Sequence, residues 1–331
     1  MTRLSILLVS SWALAGCTGN ARFFQRTDLV SDRAGLAART DAALVNPWGL
    51  AADDENNLWV ANNGTGTITI YDTDGVPSDE YAPVATGLDL TGAVFNDTTA
   101  FSIAGGGDVA PAELVFATEN GSLVGFTDQI RTLTAIPYAA PASAFTGVAL
   151  GPIDGGARLF AADFAGKQVI MFDTNFTPLG AMADPALPPE YGPFGIQRID
   201  DRLYVAYAVV GGDGDEQAGR GLGIISRFFL DGTFDRRIAT AGDLDAPWAI
   251  ARAPSGFGRV GGDLIVGNFG DGTIIAIDES SGAIEGPLES ESGRPIMVDK
   301  VWGLAFVGNS LFFAAGVEDE QHGLFGRIDE R

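Results

Sequence analysis

PWGLAADDENNLWVANNGTGTITIYD, residues 47–72, sets three short apolar runs against two polar turns. The first opens on Pro47-Trp48-Gly49-Leu50, the second is LWVAN from Leu58, and the third is TITIYD ending at Asp72. Short runs rich in β-branched and aromatic residues, bounded by Gly, Asn and Asp, read as strands joined by tight turns. A sheet this small cannot be stable alone and must bury its apolar faces against neighbours.

The neighbours are further copies of itself. A Pro or apolar residue, an aromatic or Thr, a Gly or Ala, and an aliphatic run recur at Leu90-Thr91-Gly92-Ala93, Phe145-Thr146-Gly147-Val148, Pro193-Phe194-Gly195-Ile196, Pro247-Trp248-Ala249-Ile250 and Val301-Trp302-Gly303-Leu304. Their second residues stand about 51 positions apart on average. Each copy has a second strand beginning with Leu, at Leu58, Leu114, Leu159, Leu203, Leu264 and Leu311. Third strands end at Asp72, Asp173 and Asp278, and a weaker, more polar fourth is read in EYAPVAT, TLTAIPY and FDRRIAT. Four antiparallel strands graded from apolar to polar describe a propeller blade, so the fold class is all-β, a six-bladed β-propeller over residues 23–331. A solenoid of this period needs capping ends, and none is visible. The sixth copy supplies three strands before Arg331, while residues 23–30, FFQRTDLV, form a strand-like stretch with no blade of their own. The ring is therefore expected to close by this N-terminal strand completing the last blade, which removes an exposed edge.

Composition agrees. The chain has 45 Gly and 21 Phe and only 19% charged residues, which suits many short strands better than long surface helices. A formal charge of -23 repels phosphate backbones, so no nucleic acid is expected as a partner. Such a surface keeps a protein soluble and draws in cations or basic partners.

Arg3, the apolar residues 4–13 (LSILLVSSWA) and then Leu14-Ala15-Gly16-Cys17 form the N-terminus. The apolar stretch is too short to span a bilayer and reads as an export signal. The tetrapeptide resembles the bacterial lipobox. That resemblance implies a signal peptide over residues 1–16, a Cys17 that is lipidated and becomes the first mature residue, and a tether over 17–22. Several acyl chains together anchor stably where one is marginal. Cys17 is the only cysteine, which removes disulfides and thiol chemistry from the body. Thr18 follows it and not the Asp that commonly retains such proteins on the inner membrane, so the expected location is the cell envelope, at the outer membrane. Contact with the membrane is expected through the lipid anchor alone, and the protein is expected to be a monomer.

The stretches RTDLVSDRAGLAARTDAALVNPWGLA, LWVANNGTGTITIYD, LIVGNFGDGTIIAID and EDEQHGLFGRIDE resemble an uncharacterised family of conserved hypothetical bacterial proteins that often carry a PEP-CTERM sorting tail. The likeness covers about residues 26–331, and each repeat is similar to NHL repeats. This chain has a lipobox in place of the tail, which changes the attachment and not the fold. The resemblance implies the architecture and no established activity.

Equivalent positions in a propeller form rings. The residue four after each second-strand Leu gives Asn62, Thr118, Asp163, Tyr207, Asn268 and Ala315. Oxygen side chains at Asn62, Asp163 and Asn268 are candidate Ca2+ ligands, against the competing reading that Asn and Asp there bond their own turns. Two connections are acidic: GGDGDEQAGRG, residues 211–221, and GVEDEQHG, residues 316–323. They bring Asp213, Asp215, Glu216, Glu318, Asp319 and Glu320 toward one rim, beside Asp163 and Asp271, and form either a binding face or a solvated surface. His322 is the lone histidine and builds neither a zinc site nor a triad by itself; a pairing with Glu318 or Glu320 is the role open to it. Trp48, Thr91, Thr146, Phe194, Trp248 and Trp302 form a further ring, placed to stack on a ligand or to wedge between blades.

Two functions follow. In one, the protein is a noncatalytic binding or scaffolding lipoprotein presenting the acidic loop face to an envelope protein, glycan or cation. In the other it is a calcium-dependent hydrolase or lyase, similar to lactonase-like and streptogramin-lyase-like propellers. Those calcium enzymes use a Glu from the first inner strand, where this chain offers Asn46, so the binding module is the leading expectation and no catalytic residue is assigned.

Overall fold

The computed structural model describes residues 23–78, 84–129, 132–137 and 143–331. Cys17, the leader and the tether lie outside the described residues. Six antiparallel sheets stand around one axis, as the repeats predict. Their innermost strands are Pro47–Ala52, Leu90–Phe95, Phe145–Ile153, Tyr191–Ile199, Pro247–Arg252 and Val301–Val307. Each touches the next, and the last touches the first. The second strands are Leu58–Asn62, Leu114–Thr118, Gly156–Asp163, Arg202–Val210, Leu264–Asn268 and Ser310–Ala315.

Closure takes the expected form. Phe24–Ser31 pairs antiparallel with Leu324–Glu330, from Phe24 opposite Glu330 to Ser31 opposite Leu324. Ser31 Oγ donates to the Gly323 carbonyl at 2.7 Å and fixes the register. The buried side chains fall into six apolar clusters, one for each pair of adjacent blades, including that between blades six and one, where Phe312, Ala314 and Phe325 meet Leu50, Leu58 and Val60. A closed wheel leaves no blade with an unpaired apolar face.

The repeated four-residue motif has a mechanical reason. In every blade the pairing of inner with second strand slips by one residue at its second or third position; Phe194, for example, is the extra residue between the pairs Pro193–Tyr207 and Gly195–Ala206. Such a bulge kinks the strand and re-aims one side chain. The residue after it must be small because inner strands nearly touch. A Cβ on Gly49 would lie 2.4 Å from the Thr91 carbonyl oxygen, and one on Gly195 1.9 Å from that of Trp248. The motif thus becomes a stack of rings along the axis: aromatic, glycine, aliphatic, then alanine-rich.

Blade two carries an element beyond the repeat pattern. A hairpin, Ser102–Gly105 with Asp108–Pro111, is inserted between the first two strands of blade two. Phe101 at its base is fully buried and meets Phe176 edge-on at 5.3 Å, so the insertion caps the joint between blades two and three.

Many carboxylates prove to be turn caps. Asp53, Asp72, Asp173 and Asp231 each accept a backbone N–H from two or more residues further on. Such bonds favour the charged carboxylate. The Thr177 amide holds Asp173 below its ordinary range, and the Ser280 hydroxyl, with Ser281, brings Asp278 down to about 2.

Candidate functional site

The face where inner strands begin is sealed. Trp48 stacks on Trp302 at 3.6 Å between ring centroids, and Trp302 also meets Phe269 at 4.1 Å, Phe194 at 5.5 Å and Trp248 at 5.7 Å. The four aromatics of the inner-strand ring pack on one another across the axis and make a plug. The two threonines of that ring hold neighbouring backbone instead; Thr91 Oγ1 donates to the Phe145 carbonyl at 2.5 Å.

Above the plug lies an acidic patch, hereafter the cup. Its carboxylates are Glu119 of blade two, Glu216 of blade four and Glu320 of blade six, with Asp215 near by. Glu119 lies under the fields of Glu320 and Asp215, while Glu216 lies under those of Glu320 and Lys300, so the groups share one patch. Lys300 places its Nζ 4.1 Å from the centroid of Phe269, an ammonium resting on the aromatic floor. Asn63 Nδ2 donates to Glu119 Oε1 at 2.7 Å and Asn46 Nδ2 to Asn63 Oδ1 at 3.4 Å, while Asn46 Oδ1 is buried without a partner.

Burial dominates the electrostatics. It pushes Glu216 up to about 7, against its own backbone hydrogen bond, with Glu320 adding to the rise and Lys300 opposing it. Glu320 is raised by burial, opposed by Asn46, Lys300 and Trp302, while Glu119, which stays exposed at the rim, is raised by partial desolvation, opposed by Asn63. The folded state therefore favours the protonated Glu216. Its stability contribution is complete below the ordinary value of 4.5 and is lost as pH rises through about 7. At 1.36 kcal/mol per pH unit the loss is about 3 kcal/mol. Urea unfolding should show Glu216→Gln matching the wild type near pH 4.5 and exceeding it by about 2–3 kcal/mol at pH 8. Parallel pH profiles for the two proteins would remove the burial argument.

The loop that carries Glu320 is strained. Glu318, Asp319 and Glu320 take φ of +57°, +52° and +62°, three consecutive left-handed residues, none of them glycine. Each costs about 1–2 kcal/mol, and such strain persists where the surroundings enforce it, commonly at functional positions. The turn is closed by Glu320 N–H to the Gly316 carbonyl at 3.0 Å and His322 N–H to that of Val317 at 3.2 Å.

The remaining predicted residues are placed as follows. Asn62, Asp163, Tyr207 and Asn268 are at most 2% exposed and lie within or between blades. Asn62 donates to Thr69 Oγ1 at 3.0 Å and Asp163 accepts from Gly166 N–H at 2.9 Å. Asn268 donates to the Asp243 carbonyl at 2.7 Å, and Tyr207 packs into the cluster between blades three and four. Among the described residues no group of three His, Cys, Asp or Glu side chains has metal-holding geometry. Asp271 caps its own turn through Thr273, and Asp213 and Asp319 are exposed. Glu318 pairs with Arg33, and His322 Nδ1 lies 2.7 Å from Asp32 Oδ2, so both face the closing strand.

Lys300, Glu119, Asn46 and Asn63 are the cup residues that the sequence reading did not assign to it. For Asn63 and Glu119 the signal was one position away. The residue five after each second-strand Leu gives Asn63, Glu119, Phe164, Ala208, Phe269 and Gly316, which form the axial floor and wall of the cup. Successive strand residues point to opposite sides, so a shift of one exchanges axis for blade interior.

Geometry and repeats together define the class, a six-bladed β-propeller with NHL-like repeats: residues 44–71 match the NHL repeat model. Solved structures of the same fold include a streptogramin B lyase (TM-score 0.56, 13% identity, 94% of this chain and 98% of that one) and a putative gluconolactonase (0.57, 13%, 94% and 93%). The soluble aldose sugar dehydrogenase of Escherichia coli gives 0.59 at 12% identity, over 93% and 100%. These likenesses establish the fold alone. In sequence, the chain is 36% identical to Uncharacterized protein R648 of Acanthamoeba polyphaga mimivirus over 321 residues, 91% of this chain and 78% of the relative. Uncharacterized protein L690 of the same virus is 31% identical over 333 residues, 91% and 84%. The chain belongs to the family these proteins form.

Proposed function

We propose that the protein is a cell-envelope lipoprotein whose propeller is a binding module, receiving a cationic group of its partner in the acidic cup. The observation that carries this reading is the convergence of Glu119, Glu216 and Glu320, from three separate blades, over an aromatic floor on which the Lys300 ammonium already rests. Carboxylates that feel one another's charge repel, and an arriving cation relieves that repulsion. The strained turn that delivers Glu320 supports the same reading, because a surface serving solvation alone needs no such geometry.

The envelope assignment rests on residues 3–17, whose Arg3, apolar run and Leu14-Ala15-Gly16-Cys17 resemble an export signal with a lipobox. Fractionation of a bacterial host tests the anchor: the wild type is expected in the membrane fraction, and Cys17→Ser outside it.

For the cup, calorimetry with an oligolysine peptide at low ionic strength is the test. Binding is expected to saturate and to weaken at least tenfold in the Glu216→Gln/Glu320→Gln double variant. Asp154→Asn, exposed in the turn that ends blade three's inner strand, should bind as the wild type does. Equal binding by the double variant would overturn the cup. Stabilisation by Ca2+ of several degrees would transfer the reading to the calcium-dependent hydrolase or lyase that folds of this kind also host.

A further inference from the structure

Beneath the plug the channel is a blind funnel, and we infer that it is a second, independent binding site, for a small neutral amphiphile. At the level of the glycine ring the channel narrows to a cavity of about 20 Å³, room for little more than one water. Below this throat it opens into a cavity of about 330 Å³ on the face opposite the acidic cup. That volume falls in the range of small-molecule sites, about 300–1,000 Å³.

The walls state what would fit. Leu50, Ile250 and Leu304 line the deep end, and the small Ala251 and Ala305 leave the middle wide. Two further residues of each inner strand reach the mouth, so the apolar depth is about 7 Å, at roughly 3.3 Å per residue. A short alkyl chain or a single ring fills that depth, and burying it there removes apolar surface of both partners from water.

The mouth is polar but electrically balanced. Arg198 is paired with Asp97, and Arg252 lies 2.5 Å from Glu279 Oε2. A guanidinium has five donors, and Arg198 gives one to Asp97, which leaves donors facing the opening. Deeper, at the level of Ala251, the exposed Gln197 is the one polar side chain of the middle and adds both a donor and an acceptor. A carboxylate entering here would meet arginines already neutralised and the charge of Asp97. An uncharged head carrying both hydroxyl donors and acceptors would be matched without displacing any ion pair. Polyhydroxyl heads have that chemistry.

Calorimetry on the whole mature domain with hexyl β-D-glucopyranoside, below its micelle concentration, tests the site. Saturable binding at millimolar concentration or tighter is expected, with glucose and hexanoate each at least tenfold weaker. Ala305→Leu, which fills the funnel, and Gln197→Phe, at an exposed position, should each weaken binding at least tenfold. Glu216→Gln should leave it unchanged, which separates this site from the cup. No saturable binding, or an affinity that Gln197→Phe does not alter, would overturn the site. Tighter binding of hexanoate than of the glucoside would overturn the neutral head.

Discussion

Deleting residues 23–31 is expected to abolish the monomeric fold, giving a chain that aggregates or exchanges strands at room temperature. The segment buries Phe24, Leu29 and Val30, each at most 5% exposed. Removing three such side chains forfeits about 5–8 kcal/mol, which is comparable with the whole net stability of a typical domain, about 5–15 kcal/mol. It also uncovers the backbone edge of Leu324–Glu330, a template for pairing with another chain. Light scattering and thermal melting would show the loss. A rescue separates topology from composition. Phe23 and Arg331 exchange backbone hydrogen bonds, Arg331 N–H to the Phe23 carbonyl at 2.8 Å, so the two ends meet. Placing residues 23–31 after Arg331 through a short turn should restore the monomer as a terminal hairpin. A truncated chain that stays monomeric and melts within a few degrees of the wild type would refute the closed wheel.

The wheel was legible because repetition reports on packing. Six copies of one motif, each unable to bury its own faces, leave a ring as the simplest solution, and the odd strand at residues 23–30 tells where it closes. What the sequence hid is the sense of side chains at the axis. The bulge at Trp48, Phe194, Trp248 and Trp302 is a one-residue pairing slip with no compositional mark, so the aromatic ring read equally well as ligand platform or as core. In the second strands the polar residues Asn62, Asp163 and Asn268 drew the eye, while the axis is faced by their successors Asn63, Phe164 and Phe269. Lys300 was invisible because it sits before an inner strand, where its chemistry depends on which blades face one another across the channel. The hairpin from Ser102 to Pro111 leaves no mark in the spacing, since Thr91 to Thr146 is 55 positions while Phe194 to Trp248 and Trp248 to Trp302 are 54 each, and its role in covering Phe176 is a tertiary matter. The acidic loops are legible as loops; that Glu216 and Glu320 are part-buried while Asp213 and Asp319 remain in water is not announced by the residue types, and at Glu320 it follows from the left-handed turn over 318–320.

The glycine ring gives the sharpest test of how tightly the axis is drawn. Gly195→Ala is expected to cost about 3 kcal/mol or more, because its Cβ would lie 1.9 Å from the Trp248 carbonyl oxygen, a backbone atom that cannot swing aside. Gly49→Ala and Gly92→Ala place Cβ 2.4 Å and 2.6 Å from backbone atoms of the next blade and should be nearly as costly. Gly147→Ala meets the Ile196 nitrogen at 3.2 Å, a gap that small shifts relieve, so about 1 kcal/mol is expected. None of the four has a positive φ and each lies in an inner strand next to the same bulge, so propensity changes little among them and the order of losses reports contact. Blade five already holds Ala249 at the equivalent place, 4% exposed, which shows that the ring tolerates one methyl where the strands stand further apart. Urea midpoints with unchanged m-values are the measurement. If Gly195→Ala lost no more than Gly147→Ala, the inner strands would not be in backbone contact, and the narrow throat that separates the acidic cup from the funnel would have no physical basis.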